Sequence, residues 1–243
     1  MRLYKKFLDG MPEYLVHYYW WAYLWRWGIW FFDHQFVINA ILYGQYDKLL
    51  KKTLAQVEAK PAAKILQLTC VYGKLTPSLL FSTSNEVHLC DAATGQLQLA
   101  RRKTLHIANR CHPARMNAER LGYHDDAFDQ VIVFFLLHEL PTEARHNAYA
   151  EIARVVRPGG SVLITEYAAT PQRHWLYRLV PFRWLICRLE PFLAGFWQED
   201  VAAKLSSAFK QNGKTLNGEP GVEHCFAGYY RVMRFNVIQG ELA

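Results

Sequence analysis

Short apolar runs with few interrupting polar residues recur through the middle of the chain, and stretches of helical periodicity separate them. Runs of this kind are typical of strands in a parallel sheet covered on both faces. They predict an α/β fold with a doubly wound, Rossmann-like sheet that binds its ligand at the C-terminal ends of the strands. The predicted strands are 64–69, 86–91, 114–117, 129–136, 161–167, 214–218 and 229–239. The predicted helices are 76–84, 94–104 and 142–156.

Residues 1–60 do not follow this pattern and are predicted to form a helical, aromatic-rich appendage to a sheet domain at 61–243. This appendage holds five of the eight tryptophans: Trp20, Trp21, Trp25, Trp27 and Trp30. Tryptophan favours the boundary between water and lipid, because its ring has one polar end. Charged residues interrupt the apolar stretch 14–46, which argues against a transmembrane span. Membrane contact and ordinary packing of these rings on the sheet domain both remain open.

A second apolar stretch lies at about 168–200 and carries interspersed arginines. This composition suits a membrane-facing insertion, since arginine can bury its stem while its charged head stays in water. With the appendage it would frame an entry for the long apolar part of a ligand. A pair of core helices is the alternative interpretation.

The formal net charge of +7 suits an anionic surface or ligand. No RNA-binding motif is visible, so nucleic acid is not an expected partner. Five cysteines without a Cys-x-x-Cys pair indicate free thiols in a reducing compartment. The start of the chain lacks the apolar stretch of a signal peptide. These features predict a cytoplasmic protein held peripherally on the inner membrane.

The predicted strand 86–91 ends in Asp91, which Ala92 follows. A carboxylate at this position accepts hydrogen bonds from the hydroxyl groups of a ribose. The alternative role is the N-cap of the next helix. The place of Asp91 at the end of the second strand favours the ribose role.

Five motifs, in this order and spacing, resemble the S-adenosylmethionine (SAM)-dependent methyltransferases, particularly those that act on quinones. They are 67–73 (Gln-Leu-Thr-Cys-Val-Tyr-Gly), Asp91, 117–119 (Asn-Ala-Glu), 134–141 (Phe-Phe-Leu-Leu-His-Glu-Leu-Pro) and 151–160, which ends in Pro-Gly-Gly. In that family the first motif is a glycine-rich loop, which lets the backbone come close to the ligand. The resemblance spans about residues 60–240 and implies a class I methyltransferase fold.

Departures from that pattern resemble one unusual branch, the rhodoquinone biosynthesis proteins of the RquA type. Gln67 stands where an acidic residue is usual, and Thr69 and Val71 stand where glycines are usual. Segments 39–44 and 189–192 are also similar to that branch. The resemblance implies conversion of ubiquinone into rhodoquinone, with SAM as the amino donor and manganese as cofactor.

The resemblance also implies the site residues. Asp91 would hold the ribose of SAM, and Asn117 would reach the adenine edge. The remaining SAM contacts would be Gln67, Thr69, Cys70, Val71, Tyr72, Gly73, Ala92, Ala118 and Phe134.

Three residues are candidates for catalysis: Tyr72, Tyr167 and His138. Either tyrosine would donate a hydrogen bond to a developing oxyanion. Manganese prefers oxygen ligands with some imidazole, which suggests His138 and Glu166 at the ends of adjacent strands. A purely structural or substrate-contacting His138 is the alternative. Asp33 and His34 would join the site if the appendage folds over it as a lid.

Gln67 carries a physical argument for amine chemistry. An acidic side chain near the methionyl amine of SAM would favour the protonated amine, which cannot attack a quinone. Gln67 removes this bias, although it would equally mark a decayed site. A conventional quinone C- or O-methyltransferase and a non-catalytic SAM-fold protein that binds a quinone or partner remain the alternatives.

Overall fold

The computed structural model describes residues 10–70, 72–169 and 174–240. The central sheet runs in the order β3-β2-β1-β4-β5-β8-β6, and β7 pairs with β8. Strands β1 to β5 pair in parallel, whereas β8 runs antiparallel to β5, β6 and β7. The predicted doubly wound α/β sheet is thereby confirmed. The strands are β1 (Lys64–Leu68), β2 (Glu86–Asp91), β3 (Cys111–Arg115), β4 (Phe128–Phe134), β5 (Val156–Tyr167), β6 (Lys214–Leu216), β7 (Gly221–Cys225) and β8 (Tyr230–Gln239).

Helices precede the sheet, connect its strands and fill the segment after β5. The helices before β1 are α1 (Glu13–Tyr18), α2 (Trp20–Tyr23), α3 (Arg26–Phe32), α4 (Gln35–Ile41) and α5 (Tyr46–Leu54). Those between strands are α6 (Leu75–Ser82), α7 (Thr94–Thr104) and α8 (Thr142–Val155). The helices after β5 are α9 (Trp175–Arg178), α10 (Val180–Leu189), α11 (Leu193–Phe196) and α12 (Val201–Gln211).

Two strands differ from their predicted bounds by three residues or more, because partner strands set their limits. Strand β3 covers Cys111–Arg115 and not the predicted range 114–117, because its pairing with β2 begins with Val87 opposite Cys111 and ends at Arg115. Beyond it, an isolated bridge from Asn117 to Arg120 turns the chain away from the sheet. Strand β5 starts at Val156, five residues earlier than predicted, because Val156 pairs with Phe128 of β4 across a register shift.

Two elements have no counterpart in the prediction, β7 and α12. Helix α12 begins at an N-cap, Asp200, whose carboxylate accepts the backbone N–H of Ala203 at 3.0 Å. Its buried positions Val201, Leu205 and Phe209 recur at helical spacing, so this helix could have been predicted from the sequence pattern. In contrast, β7 has an exposed pattern up to its last residue.

The N-terminal helices contact the sheet domain at the C-terminal edge of the parallel strands. The hydroxyl of Tyr72 donates to the Ala22 carbonyl at 2.5 Å. Asp33 accepts the Gly73 backbone N–H and forms an ion pair with Lys103 of α7. A Cβ added at Gly28 would lie 1.8 Å from the Trp21 carbonyl oxygen, so only glycine permits this close crossing of α2 and α3. The division at residue 60 and the insertion at 168–200 stay predictions.

Within the described ranges, no helix is both long enough and apolar enough to cross a bilayer.

Arg145 of α8 holds the short turn that follows β4. Its side chain is buried, and its guanidinium lies over the Phe196 ring at 5.3 Å. It donates to the carbonyls of Leu137 and Leu140 at 3.0 and 2.9 Å and pairs with Glu199 at 2.9 Å. One buried cation therefore supports the backbone on both sides of His138.

We expect Arg145→Met to lower the free energy of unfolding by about 3 kcal/mol, because Glu199 would be left buried without its partner. Urea unfolding followed by circular dichroism measures this loss. The exposed pair between Lys52 and Glu223 offers a matched control, and Lys52→Met should leave the midpoint nearly unchanged. Equal effects of the two substitutions would contradict the stabilising role of Arg145.

Candidate active site

A cavity of about 260 Å³ lies at the C-terminal edge of the parallel strands. Its floor comes from the ends of β1, β2 and β4, and its roof comes from the N-terminal helices. One wall is formed by Leu189 and Glu190 at the end of α10. This is the edge at which a doubly wound sheet binds ligands.

Asp91 closes one end of the cavity. Its side chain is buried, and its two oxygens accept the backbone N–H groups of Cys70 at 3.0 Å and Ala93 at 2.7 Å. Burial raises the pKa of Asp91 to about 7, although both N–H donors act in the opposite direction. The carboxylate thus joins the loop after β1 to the start of α7 and lines the space between them.

Most of the SAM contacts predicted from the sequence lie together around this end. The predicted residues that line the cavity are Thr69, Cys70, Tyr72, Asp91, Ala92, Asn117, Ala118 and Phe134. Gln67 and Gly73 are not among its lining residues. Gly73 instead donates its N–H to Asp33, and Val71 lies outside the described residues.

Gln67 is fully buried next to the cavity floor. Its amide nitrogen donates to the Thr69 carbonyl at 3.0 Å, and its amide oxygen has no hydrogen-bond partner in the described part of the chain. It lies beneath the loop, two residues before Thr69, which lines the cavity. Gln67 can therefore affect a bound ligand only through the backbone of Thr69 or through its own unpaired amide oxygen.

His138 lies at the opposite end, on the 3-10 turn Leu137–Glu139 that follows β4. Its Nδ1 faces both oxygens of Glu166, at 3.1 and 2.9 Å. Burial by itself lowers the pKa of His138, but the charges of Glu166, Glu190 and Glu139 outweigh it and raise the pKa to about 9. At neutral pH the imidazole is then protonated, with Nδ1–H donating to Glu166.

Glu166 is fully buried and does not line the cavity. Besides His138 Nδ1, its oxygens accept the backbone N–H groups of Leu137, His138 and Tyr167. The sequence predicts Glu166 as a metal ligand. Its contacts instead favour a role in which Glu166 orients the His138 ring from behind. Carboxylates behind histidine ligands commonly act in this way.

Two carboxylates that sequence reasoning missed stand beside His138. Glu139 follows it on the turn, and Glu190 comes from the end of α10. Tyr19 donates to Glu190 at 2.9 Å, and Tyr23 makes a short hydrogen bond to Glu139. Burial, with the nearby charge of Glu190, raises the pKa of Glu139 to about 8, and burial also raises the pKa of Glu190.

The sequence carried a partial signal for this pair. Glu139 is part of the 134–141 motif, and Glu190 is part of the 189–192 segment that resembles the rhodoquinone branch. Their meeting depends on the packing of α10 against the turn after β4. No spacing rule in the sequence predicts that contact.

The two candidate tyrosines lie near His138 and Asp91, respectively. The Tyr167 ring packs on the His138 ring at 4.8 Å, and burial raises the pKa of its hydroxyl. The Tyr72 ring stacks on Tyr23 at 5.6 Å, while its hydroxyl is bonded to Ala22. A hydrogen bond from Tyr72 to a substrate would therefore require release of the N-terminal helices.

Asp33 and His34 stay away from the His138 end. Both line an outer groove between α3 and α7 instead of this cavity. Asp33 is engaged by Gly73 and Lys103, and His34 Nδ1 lies 2.7 Å from the Trp30 carbonyl. These two side chains do not reach the predicted metal position, and the lid role of the N-terminal helices stays a prediction.

Comparison with known proteins gives a consistent result. Residues 65–160 match the family model described as a methyltransferase domain. A demethylmenaquinone methyltransferase of Lactiplantibacillus plantarum is 33% identical over 138 residues, which are 55% of this chain and 57% of that protein. The ubiquinone/menaquinone biosynthesis C-methyltransferase UbiE of Cupriavidus metallidurans is 30% identical over 54% of this chain and 55% of its own. The chain thus spans little more than half the length of these curated relatives.

A solved structure, the PH0226 protein of Pyrococcus horikoshii, superposes with a TM-score of 0.57 at 16% identity, covering 93% of this chain and 99% of its own. At this identity the likeness concerns the fold alone. The fold of this chain is that of the class I methyltransferases, and residues 65–160 carry the sequence match to a methyltransferase domain.

Proposed function

We propose that this protein is a SAM-dependent transferase that modifies the ring of a polyprenyl quinone such as ubiquinone. The observation that carries the proposal is a single cavity with two chemically different ends. Asp91 stands at one end, and His138 stands with Glu139 and Glu190 at the other. Curated relatives named as quinone methyltransferases support the same substrate class.

The Asp91 end suits SAM. A buried carboxylate that already joins two backbone segments is held rigidly for hydrogen bonds from the ribose hydroxyls. Asn117 lines the same end and would face the adenine, and its side chain is fixed by hydrogen bonds with Glu119. Phe134 offers an apolar surface next to it.

Methyl transfer is the reaction that the comparisons support best, because the curated relatives named above are C-methyltransferases or demethylmenaquinone methyltransferases. A reduced quinone ring attacks the methyl group best when one of its hydroxyls carries negative charge. With no ion bound at Nε2, a protonated His138 would stabilise that oxyanion through Nε2–H, while Glu166 holds the ring from behind. The apolar and aromatic walls would exclude water.

Amine transfer, which would yield rhodoquinone, is the second candidate, and Gln67 is the observation that favours it. A neutral amide replaces the usual acid, so no side-chain charge from this position holds the SAM amine in its protonated form. A divalent cation such as manganese, when bound, would act as a Lewis acid on the quinone carbonyl. His138, Glu139 and Glu190 offer the nitrogen and oxygen donors that manganese accepts.

Peripheral contact with a membrane would bring the quinone to this cavity. Exposed apolar side chains cover the helices at the cavity edge: Trp25, Trp27, Trp30, Phe36, Trp184 and Leu185. The N-terminal helices and α10 are neighbours, since Tyr43 and Phe182 pack at 5.8 Å. Such a surface, on a chain whose overall net charge is +7, favours an anionic bilayer.

We expect Asp91→Asn to weaken SAM binding by about 10- to 100-fold, because one charge-assisted acceptor for the ribose is lost. Isothermal titration calorimetry with SAM measures this. Asp125→Asn is the matched control, since Asp125 is exposed before β4 at the opposite edge of the sheet. Unchanged SAM affinity in Asp91→Asn would count against the ribose role.

Two labelled forms of SAM distinguish the two candidate reactions. If methyl transfer is correct, SAM labelled in its methyl group should pass the label to the quinone product, and SAM with nitrogen-15 in its amino group should not. Amine transfer predicts the reverse. Mass spectrometry of the extracted quinone reads both. If neither label reaches any quinone, in either redox state and with or without manganese, the proposed function is wrong.

Membrane contact predicts that the double substitution Trp27→Ser, Trp30→Ser reduces co-sedimentation with anionic vesicles severalfold, and Trp184→Ser should add to the effect. These rings are more than half exposed, so the fold should persist. Phe81→Ser is the control, because Phe81 is exposed at the end of α6, at the far edge of the sheet. Vesicle binding that is insensitive to the tryptophans would exclude this surface.

A further inference from the structure

We propose that His138, Glu139 and Glu190 form a binding site for one divalent transition-metal ion. This site, called here the His138 cluster, lies at the substrate end of the cavity and so deepens the proposed function, on which its role in the reaction rests. The ligand assignment differs from the sequence-based pair of His138 and Glu166.

The geometry of the cluster is close to that of a metal site. One donor atom from each residue lies within 4.8 Å of the other two. An ion with ligand distances of about 2.0–2.2 Å holds its donors roughly 3–4.3 Å apart. Binding would therefore require the two glutamate carboxylates, which Tyr19 and Tyr23 hold, to move slightly closer to His138.

His138 is arranged as metal-binding histidines are. Its Nδ1 is engaged by Glu166, which leaves Nε2 as the atom that can receive a ligand. The side chain is 95% buried, yet Nε2 lies 4.0 Å from the nearest Glu190 oxygen, beyond hydrogen-bond distance. His138 thus lines the cavity with a nearly buried side chain whose Nε2 has no hydrogen bond among the described residues and faces Glu190, which independently points to a ligand at this atom.

The charge balance points the same way. Glu139, Glu166 and Glu190 surround a single imidazole. Over the described ranges, no lysine or arginine forms an ion pair with any of these carboxylates. Tyrosine hydroxyls from the N-terminal helices donate to two of them. A divalent cation bound among these carboxylates would balance their charge in place of protons.

The donor set indicates the class of ion. Two carboxylate oxygens and one imidazole suit manganese, iron(II) or zinc better than calcium, which takes oxygen donors, or copper(I), which takes thiolates. None of the five cysteines belongs to the cluster. Manganese is therefore a suitable probe, with zinc as the competitor that generally binds more tightly.

A second group of residues whose side chains could ligate a metal ion serves as an internal comparison. Glu86, His88 and His112 stand on neighbouring strands β2 and β3, where His88 and His112 are in register. Glu86 and His112 are exposed, and no carboxylate partner orients either histidine in the described part of the chain. This group provides a matched acidic residue for substitution.

Titration of the purified full chain with Mn²⁺, followed by the electron paramagnetic resonance signal of free Mn²⁺, tests the site. The wild type should bind one equivalent. Glu190→Gln and Glu139→Gln should each weaken binding at least tenfold, because a charged donor becomes neutral while the tyrosine can still donate to the amide oxygen. Glu86→Gln should bind as the wild type does. Circular dichroism and SAM affinity identify any variant that has lost its fold.

Wild-type affinity in both Glu190→Gln and Glu139→Gln would overturn the proposal, as would loss of the equivalent in Glu86→Gln. Failure of the wild type to bind Mn²⁺ or Zn²⁺ would show that a shared proton balances the cluster instead. The result is separable from the proposed function. If the chain binds the ion but transfers no label from SAM, the metal site is supported and the proposed function is wrong. If the chain transfers label without binding any ion, the proposed function is supported and the metal site is wrong.

Discussion

One buried carboxylate, that of Glu166, determines the geometry of the site. It accepts the backbone N–H groups of Leu137, His138 and Tyr167 and faces Nδ1 of His138. Burying a carboxylate is costly unless several hydrogen-bond donors compensate it, and these four do so. The conformation of the turn after β4, the direction of the imidazole and the position of the next residue, Glu139, all depend on this arrangement. Phe135 at the start of the turn has a φ of +53°, and its N–H is held by the Thr165 carbonyl at 2.9 Å.

The N-terminal helices make a second set of constraints, because they complete the cavity that the sheet only begins. Tyr19 and Tyr23 reach down to Glu190 and Glu139, while Asp33 engages Lys103. The cavity volume of about 260 Å³ lies just below the range of roughly 300–1,000 Å³ found for ligand sites. We therefore expect the helices to shift if SAM and a quinone ring are to occupy the cavity together. The aromatic residues of this segment are of two kinds: Tyr19 is buried against the cavity, whereas the rings of Trp27 and Trp30 are mostly exposed.

How far the sequence could predict this structure depends on where each constraint originates. Strand β2 and helix α7 have the predicted bounds, because the local apolar pattern suffices to decide them. The limits of β3 and β5 come from pairing with other strands, which periodicity cannot register. The same holds for the site. Asp91 and its neighbours belong to one strand–loop–helix unit and could be read from motifs, whereas Glu190 joins His138 only through tertiary packing.

The charge distribution of the cavity bears on which group is transferred. The sulfonium of SAM is positive, and a carboxylate at one end with a carboxylate cluster at the other would favour a cation between them. Methyl transfer removes the sulfonium charge, so the demethylated product would lose this attraction and dissociate more readily. Amine transfer leaves the sulfonium on the remaining fragment, and the same field would then retain the product. This field would therefore bind SAM more tightly than its demethylated product, as methyl transfer requires for product release. The neutral Gln67 adds no charge of its own, so the difference in binding would come from the carboxylates at the two ends of the cavity.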